Sequence, residues 1–173
     1  MKTLFFTIYG RPRAQGSKRA FGRIVPGVDP HHPRVAVTMV EQGKHTASWR
    51  NAVAAVAGKQ GSAMLEGPVA VRVTLCFARP KSHYGSGRNA GRLKPEAPAR
   101  PTSHFLGDID KMLRALFDGI SGILIRDDSQ IVDVTAEKVY SDPERAEVLL
   151  TDLGKHSGRQ DDPSGPVAVA DAG

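Results

Sequence analysis

The segment GDIDKMLRALFDGISGILIRDDSQI, residues 107–131, holds two pairs of aspartates separated by an apolar pattern. The apolar residues recur at three- and four-residue steps, as they do on the buried face of a helix; they are Ile109, Met112, Leu113, Leu116, Phe117 and Ile120. Asp108 stands just before this pattern, where the N-cap residue of a helix accepts a free backbone N–H with its side chain. The segment therefore predicts a helix that begins at the first acid pair.

The first pair, Asp108 and Asp110, is separated by a single residue. Two positions apart inside a helix, side chains point to different sides, so both acids converge on one ion only if Asp108 still lies in the extended chain before the helix. Further along the helix, Arg114 lies four residues after Asp110 and four before Asp118. Because residues four apart are neighbours on a helix surface, we expect Asp118 to pair with Arg114 rather than to bind the ion.

The second pair, Asp127 and Asp128, follows a short apolar run, Ile123-Leu124-Ile125. Gly119 and Gly122 supply the end and turn signals between the helix and this run. The run predicts a short strand or strand-like segment, which would return the second acid pair to the first.

The acids of this segment have the composition of a metal site. Three or four carboxylates with no Cys or His nearby suit a hard divalent ion, Mg²⁺ or Mn²⁺, rather than zinc. A single Asp is as often a helix cap or a turn residue, so the argument rests on the combination. Since such an ion activates water and neutralises phosphoryl charge, acids grouped in a basic protein predict phosphodiester chemistry.

Asp108-Ile109-Asp110, a helix and then Asp127-Asp128-Ser129-Gln130 resemble the signature of the RusA-like Holliday junction resolvases, the crossover junction endodeoxyribonucleases. That signature runs D-x-D-N-x-x-K-x-x-x-D, a turn and D-D-x-Q. Lys111 stands here where the pattern has Asn, and Arg114 where it has Lys. The second replacement is not neutral, because a guanidinium is a planar fork and an ammonium a compact point charge.

The resemblance implies a magnesium-dependent endonuclease, with Mn²⁺ as a substitute, that acts as a homodimer. The dimer would resolve four-way or other branched DNA by paired nicks on opposite strands, in DNA recombination and repair. The implied catalytic residues are Asp108, Asp110, Asp128, Lys111 and Arg114. The implied metal ligands are Asp108, Asp110 and Asp128, with Asp127 beside them.

The net charge of +6 is unevenly distributed along the chain. Residues 1–107 hold 17 Lys and Arg against 4 Asp and Glu, whereas residues 108–173 hold 7 against 14. Cations that bind phosphates beside acids that bind a metal are what a nuclease requires. The predicted DNA-binding residues lie in a basic loop or hairpin at 10–23 and in a long structureless loop at 79–104; they are Arg11, Arg13, Lys18, Arg19, Arg79, Lys81, Arg88, Arg92 and Lys94.

The remaining pattern predicts a single α+β domain over residues 1–153, with a mixed, mostly antiparallel sheet, two main helices on one face and a homodimeric assembly. Alternation predicts strands at 3–9, 35–40 and 69–77, then a final hairpin formed by 130–140 and 146–151. Helical spacing over 46–60 places Trp49 in the core. Residues 154–173 are rich in Gly, Ser, Asp and Pro and predict a disordered tail.

Cysteine content and hydropathy exclude several classes of protein. A lone cysteine, Cys76, allows neither a disulfide framework nor a Cys-rich zinc site. The chain has no 18-residue apolar run, and the apolar stretch before Arg11 is too short for a signal peptide. We therefore expect a cytoplasmic, nucleoid-associated protein, in the host cytoplasm if phage-encoded, with no membrane partner.

Three other functions fit parts of the pattern. A non-catalytic branched-DNA-binding protein would use the acids only as helix caps. A calcium-binding EF-hand that started at Asp108 would need an oxygen ligand at Met112 and a glycine at Leu113, so it is excluded. A phosphatase or sugar transferase with this D-x-D would need a buried strand before the acids, and residues 104–107 are too short for one.

Overall fold

The computed structural model describes residues 2–16, 18–25, 34–41, 45–61 and 63–154, and the side chains of all these except 18–25 and 34–41. Two α-helices lie in these ranges, α1 (Thr46–Gly58) and α2 (Ile109–Ile120). The strands are β1 (Thr3–Tyr9), β2 (Lys18–Val25), β3 (Arg34–Glu41), β4 (Val69–Phe77), β5 (Ile131–Tyr140) and β6 (Arg145–Asp152).

The main sheet has four strands in the order β1-β6-β4-β5. β6 is antiparallel to both β1 and β4, whereas β5 is parallel to β4. β2 and β3 form a separate antiparallel pair. The predicted α+β class with a mixed, mostly antiparallel sheet and two helices is confirmed, and the homodimer stays a prediction.

One hydrophobic core lies between the sheet and the two helices. Alternate residues of β4 point into it, and Val71 and Val73 of β4 lie opposite Leu150 and Val148 of β6. The helices contribute Trp49 of α1 and a face of α2 to the same core, so the prediction for Trp49 is confirmed. Because strict alternation gives a strand one apolar face, this core fixes which way the sheet faces.

The predicted hairpin of the last two strands is wrong, because β6 lies between β1 and β4 while β5 pairs only with β4. Burial explains the difference. β6 alternates buried Ala146, Val148 and Leu150, which suits an internal strand, whereas β5 exposes Asp133 and Thr135 and suits an edge. Parallel strands need a crossover connection, and α2 provides it between β4 and β5.

In the run Ile123-Leu124-Ile125, predicted as a strand or strand-like segment, the first two residues lie in a turn and Ile125 forms isolated β-bridges with Leu65 and Ser121, so the run is not a strand. It follows Gly122, whose φ of +76° reverses the chain directly after α2. Leu124 and Ile125 are buried, and the Leu65 N–H donates to the Leu124 carbonyl at 2.8 Å. The short apolar run therefore fills the end of the core, a role that its composition alone does not distinguish from a strand.

The two basic segments also differ from expectation. Residues 79–104 are not structureless. They contain the 3₁₀ turns Lys81–His83 and Gly87–Asn89 and a bridge between Tyr84 and Leu93, and a third 3₁₀ turn, His104–Leu106, begins at the end of the segment. Proline and glycine supply turn geometry here without any periodicity that a sequence pattern reveals. In the other segment, residues 11–16 are neither helix nor strand, in agreement with the loop interpretation, whereas Lys18–Val25 forms β2. The partner of β2 is β3, which lies outside the segment 10–23, so a hairpin contained in that segment is wrong and the predicted strand at 35–40 is confirmed.

None of the helices among the described residues is long and apolar enough to cross a membrane. Residues 155–173 lie outside the described ranges, so the predicted disordered tail stays a prediction.

The close approach of α1 and α2 at Gly119 is open to test. A Cβ on Gly119 would lie 2.7 Å from Cγ1 of Val53, whereas a Cβ on Gly58 would meet nothing within 4 Å. We expect Gly119→Ala to lower the free energy of unfolding by about 1–3 kcal/mol through overpacking. Gly58→Ala should raise it by about 0.4–1 kcal/mol. Urea unfolding measures both, and equal stability of the two variants would contradict the close packing.

Candidate active site

The first acid pair lies at the start of α2. Asp108 is the N-cap, with φ −81° and ψ 144°, so its backbone is still extended, as the convergence of the two acids requires. Its side chain makes no capping hydrogen bond, contrary to expectation; Oδ2 instead accepts from Nζ of Lys111 at 2.6 Å. Asp110 lies exposed in the first turn. The carboxylates of both residues are therefore on the surface at the N-terminus of α2.

Lys111 controls the ionisation of Asp108. Its hydrogen bond and its charge lower the pKa of the Asp108 carboxyl, and the more distant charge of Lys138 lowers it slightly further. The same hydrogen bond raises the pKa of Lys111. Since the Asp108 and Lys111 side chains are 62% and 43% exposed, water screens the attraction and the pair remains open to exchange. Asp108 is thus an ionised carboxylate whose partner can be displaced.

Asp118 does not pair with Arg114, contrary to the sequence-based prediction. Its Oδ2 accepts from Nε2 of Gln15 at 3.1 Å and from Nη1 of Arg50 at 3.4 Å. The segment 11–16 packs beside α2, where the Gln15 N–H donates to the Lys111 carbonyl at 3.0 Å. Residues remote in sequence thus supply closer partners, and Arg114 is exposed on α2.

In the second acid pair, the two aspartates have different environments. Asp127 caps the 3₁₀ turn Asp128–Gln130, and its Oδ1 accepts from the Ser129 N–H at 3.0 Å. Hydrogen bonds from Ser129 lower the pKa of Asp127. Asp128 is exposed in the turn itself. Asp127 therefore holds the turn, whereas Asp128 is exposed on it.

Gln130, the last residue of the D-D-x-Q element, fixes this turn to the rest of the fold. Its Oε1 accepts from the backbone N–H groups of Arg126 and Asp127 at 2.6 and 3.3 Å. Its Nε2 donates to the carbonyls of Leu65 and Gly67 at 3.0 and 2.9 Å. The glutamine thereby positions the second acid pair beside the start of β4.

The two acid pairs lie at opposite ends of α2. Nζ of Lys138 donates to the Gly107 carbonyl at 3.3 Å, which places the first pair near the C-terminal end of β5. The second pair comes just before Ile131, where β5 begins. The seven residue steps of β5 from Ile131 to Lys138 span about 23 Å. The expectation that the second pair returns to the first within one protomer is therefore wrong. Across the described ranges, no three His, Cys, Asp or Glu side chains are grouped to hold a metal ion.

Two basic hollows flank the first acid pair. One, called here the Arg13 hollow, is lined by Arg11, Arg13, His45 and the segment from His104 to Gly107. Between Ala14 and α1, the Thr46 hydroxyl donates to the Ala14 carbonyl at 3.2 Å and fixes the wall of this hollow.

The second hollow, called here the Lys81 hollow, lies at the same end of the sheet. It is lined by residues that include Arg11, Arg79, Lys81, His83 and Tyr140. Four of the predicted DNA-binding residues, Arg11, Arg13, Arg79 and Lys81, thus lie close to the first acid pair.

The predicted DNA-binding cations differ in how far they are already engaged. Arg79 donates to the Pro98 carbonyl at 2.8 Å and lies 4.0 Å from the centre of the Tyr140 ring, a cation–π contact that holds it in place. Arg11 has a long ion pair with Glu144, at 3.8 Å. Lys81 is exposed, as are Arg88, Arg92 and Lys94. The side chains of Lys18 and Arg19 lie outside the described part of the chain.

Sequence reasoning missed Lys138, which supports the turn before Asp108 and adds positive charge there. The sequence carried one signal, because alternation along β5 places Lys138 on the same face as Ala136 and Tyr140. In the sheet, Lys138 lies opposite the buried Leu75. A lysine at an inward-facing position needs a partner, and here the partner is the Gly107 carbonyl.

The site combines exposed ionised carboxylates at a helix N-terminus with cationic hollows on the same surface. Cations of this kind bind phosphates, and acids of this kind bind a divalent ion that assists phosphodiester cleavage. The arrangement is compatible with a nuclease.

Comparison with known proteins places the chain in a family. The model of the endodeoxyribonuclease RusA family matches residues 25–151, so the chain belongs to that family and the resemblance of its motifs is confirmed. Membership implies endodeoxyribonuclease activity. The uncharacterized protein YqaN of Bacillus subtilis (strain 168) is 30% identical over 154 residues, which cover 88% of this chain and 99% of that protein.

The oxygen ligands that the first acid pair offers are of the kind that magnesium prefers. Asp108 and Asp110 offer oxygen ligands alone, and Mg²⁺ is commonly bound by one or two carboxylates together with waters and substrate phosphates. Asp128 is too far along β5 to join them within one protomer. A magnesium site here would therefore need oxygen ligands from DNA or from a second protomer.

The ion pair of Lys111 with Asp108 predicts a pKa change. Lys111→Met should raise the pKa of Asp108 towards its ordinary value, because the largest lowering influence is removed. Lys138→Met should raise it less. A carbon-13 NMR titration of the carboxyl measures both. Asp108 contributes stability above its unfolded-state pKa that is lost as pH falls through the lower folded-state value, so that acid-dependent loss should shrink in Lys111→Met. An equal shift in both variants would contradict the ion pair.

Proposed function

We propose that this protein is a magnesium-dependent endonuclease that resolves four-way DNA junctions by paired nicks, in DNA recombination and repair. The observation that carries the proposal is the exposed pair Asp108 and Asp110 at the start of α2, beside the Arg13 and Lys81 hollows, in a chain of the RusA family. Mn²⁺ would substitute for Mg²⁺, since both are hard ions that prefer oxygen ligands.

The basic hollows would bind the DNA backbone. Arg11, Arg13 and Lys81 neutralise phosphates near the acids, and Arg88, Arg92 and Lys94 extend the contact along the segment 79–104. Binding of this kind releases counterions, so affinity should fall steeply with salt. The sequence of the DNA would matter less than its branched shape, because phosphate contacts position a protein without reading bases.

Asp108 and Asp110 would hold the metal, which supplies charge neutralisation at the phosphate and an activated water. The pKa of Asp108 is lowered by Lys111 from a value that is already far below neutral, so the carboxylate is ionised at neutral pH. Asp108 does not cap α2 with its side chain, which leaves the backbone N–H groups of the first turn for a phosphate oxygen.

The cations of the motif would act on the phosphate. Lys111 is 2.6 Å from Asp108 in the free protein. With a cation held by Asp108, this ammonium would be free to contact the negative oxygens of the scissile phosphate. Arg114 occupies the position of the family's Lys, one helical turn from Asp110, where its guanidinium reaches the same charge as a planar fork.

A symmetric dimer completes the proposal. Asp128 precedes the start of β5, whereas the first acid pair lies near the C-terminal end of that strand, so a second protomer would be the source of the Asp128 carboxylate at each site. Two-fold symmetry would then create two equivalent sites, one for each of the two strands to be cut. Asp127 would keep its role of holding the turn.

The first prediction of this proposal concerns cleavage of a synthetic four-way junction. Wild-type protein with Mg²⁺ should give symmetric paired nicks, and EDTA should abolish them. Asp110→Asn should cleave more slowly by over about 100-fold, because loss of even an outer partner of a metal ligand costs roughly 10- to 100-fold. Junction binding by this variant in EDTA should persist.

Binding without any cut in Mg²⁺ or Mn²⁺ would instead support a non-catalytic branched-DNA-binding protein. One observation favours that alternative, since the pairing of Lys111 with Asp108 already neutralises one of the acids. Asp118→Asn is a control outside the proposed metal site, and its cleavage products should match those of the wild type.

The second prediction tests the shared site. Asp110→Asn and Asp128→Asn are each expected to be inactive alone. Mixed dimers of the two should regain one intact site, built from Asp110 of one protomer and Asp128 of the other, and should nick one strand of each junction. If all the acids acted within one protomer, both sites of the mixed dimer would be defective and no nick would appear. Gel analysis of junctions labelled on each strand distinguishes the two results.

A further inference from the structure

Phe105 is the most exposed large hydrophobic residue among those that the structure describes, with 82% of its surface open to solvent. Single exposed apolar residues are common on soluble proteins and need no explanation by themselves. Phe105 differs from the others in its support and in its charged surroundings.

The chain holds this side chain outward. His104, Phe105 and Leu106 form a 3₁₀ turn, in which the Leu106 N–H donates to the Ser103 carbonyl at 3.1 Å and the Gly107 N–H to the His104 carbonyl at 3.0 Å. Leu106 packs against the core, so its neighbour Phe105 projects away from it. The His104 ring lies 3.8 Å from the Phe105 ring at 37° and supports one side of it.

The residue after this turn makes the support rigid. Gly107 has a φ of +87°, and a Cβ there would lie 2.7 Å from the Cβ of Ala14, so the backbone is closely packed against the segment 11–16. Its carbonyl accepts from Lys138 on β5. The turn is thus held from two sides, and a rigid aromatic side chain loses little conformational entropy when it makes a contact.

Phe105 stands on a ridge between the two basic hollows. It lines both the Arg13 hollow, of about 230 Å³, and the Lys81 hollow, of about 710 Å³. Among the described residues that line them, the two hollows contain four Arg and Lys against one acid, Glu144. A nucleic acid matches both features at once, because it offers phosphates to the hollows and a flat base to the ring.

The distance from Phe105 to Asp108 matches the spacing of a few nucleotides along one DNA strand. Phe105 is three residues before Asp108, and three residues of chain span at most about 11 Å between Cα atoms. Successive bases of one strand are about 3.4 Å apart along a duplex, so a base on Phe105 lies within about three nucleotides of a phosphate at Asp108.

We propose that Phe105 is a positioning residue that stacks on a nucleobase at the branch point of the DNA. The inference rests on the proposed function and deepens it, because it names the contact that distinguishes branched DNA from a duplex. Inside a duplex both faces of each base are covered by stacked neighbours, so a base would have to be extruded to reach the ring, at the cost of unstacking. Where the arms of a four-way junction separate, the bases stay paired but a terminal pair loses its neighbour on one face, which leaves that face for an aromatic ring.

The test measures binding of wild-type and variant protein to a four-way junction and to a duplex of the same sequence, in EDTA so that no strand is cut. Phe105→Ala should bind the junction about 5- to 150-fold more weakly, which is one stacked base converted at tenfold per 1.4 kcal/mol. Its binding to the duplex should stay within about twofold of wild type. Phe105→Trp should retain junction affinity, and Phe105→Leu, which keeps an apolar side chain but has no aromatic face, should resemble Phe105→Ala.

Phe5→Ala is the matched control, because Phe5 is also exposed, at 61%, but lies on β1 outside the linings of both hollows. It should leave both affinities unchanged. Wild-type affinity in Phe105→Leu would overturn stacking in favour of a merely apolar contact. An equal loss of affinity for duplex and junction would overturn stacking in favour of general DNA contact. A change in the oligomeric state of Phe105→Ala would overturn it in favour of contact between protomers. Wild-type binding that does not favour the junction over the duplex would overturn both the stacking contact and the proposed specificity for junctions. Failure of the proposed cleavage alone appears in Mg²⁺, as wild-type binding without paired nicks, and is thereby distinguished from failure of the stacking contact in EDTA.

Discussion

The parallel pairing of β4 with β5 is the constraint on which the arrangement of this site depends. Parallel neighbours cannot be joined by a hairpin, so the chain must travel from the end of β4 back to the start of β5. It does so through the segment 78–107 and then along α2, whose 12 residues span about 18 Å. The residues just before α2 consequently lie at one end of the sheet and those just after it at the other. The crossover between β4 and β5 therefore separates the two acid pairs.

The end of the sheet that holds the first acid pair is built from three separate parts of the chain. The segment 11–16 is fixed to α2 by the hydrogen bond from Gln15 to Lys111, β5 contributes Lys138, and the 3₁₀ turn that carries Phe105 leads into Asp108. Backbone hydrogen bonds and close packing hold all three. The ion pair of Lys111 with Asp108, in contrast, is solvent-exposed and weak. Closely packed backbone thus surrounds an ion pair that can be displaced, which suits a position where a cation and a phosphate would bind.

The sequence predicted those parts of the fold that depend on local periodicity. The apolar spacing of α2 and the alternation of β4 gave both elements, and the extended lead-in at Asp108 followed from the need for two acids to converge. The order of the strands did not follow, because the pairing of β6 with β4 rather than β5 depends on burial across distant segments. The partners of Asp118 were missed for the same reason, since Gln15 is 103 residues away in sequence. The three-residue run 123–125 was too short for its composition to separate a turn from a strand.

The separation of the acids also bears on how paired cleavage would be controlled. A protomer that carried a complete acid set at one end would be able to nick DNA alone, and a single nick in a junction does not resolve it. If the Asp128 carboxylate comes from the partner, no site is complete until two protomers meet, and symmetry then completes both sites together. The protomer's own topology, through the parallel pairing of β4 and β5, would in that case enforce the pairing of the cuts. The crossover helix would act as a spacer between two half-sites, and its length would be as important to the chemistry as the acids at its ends.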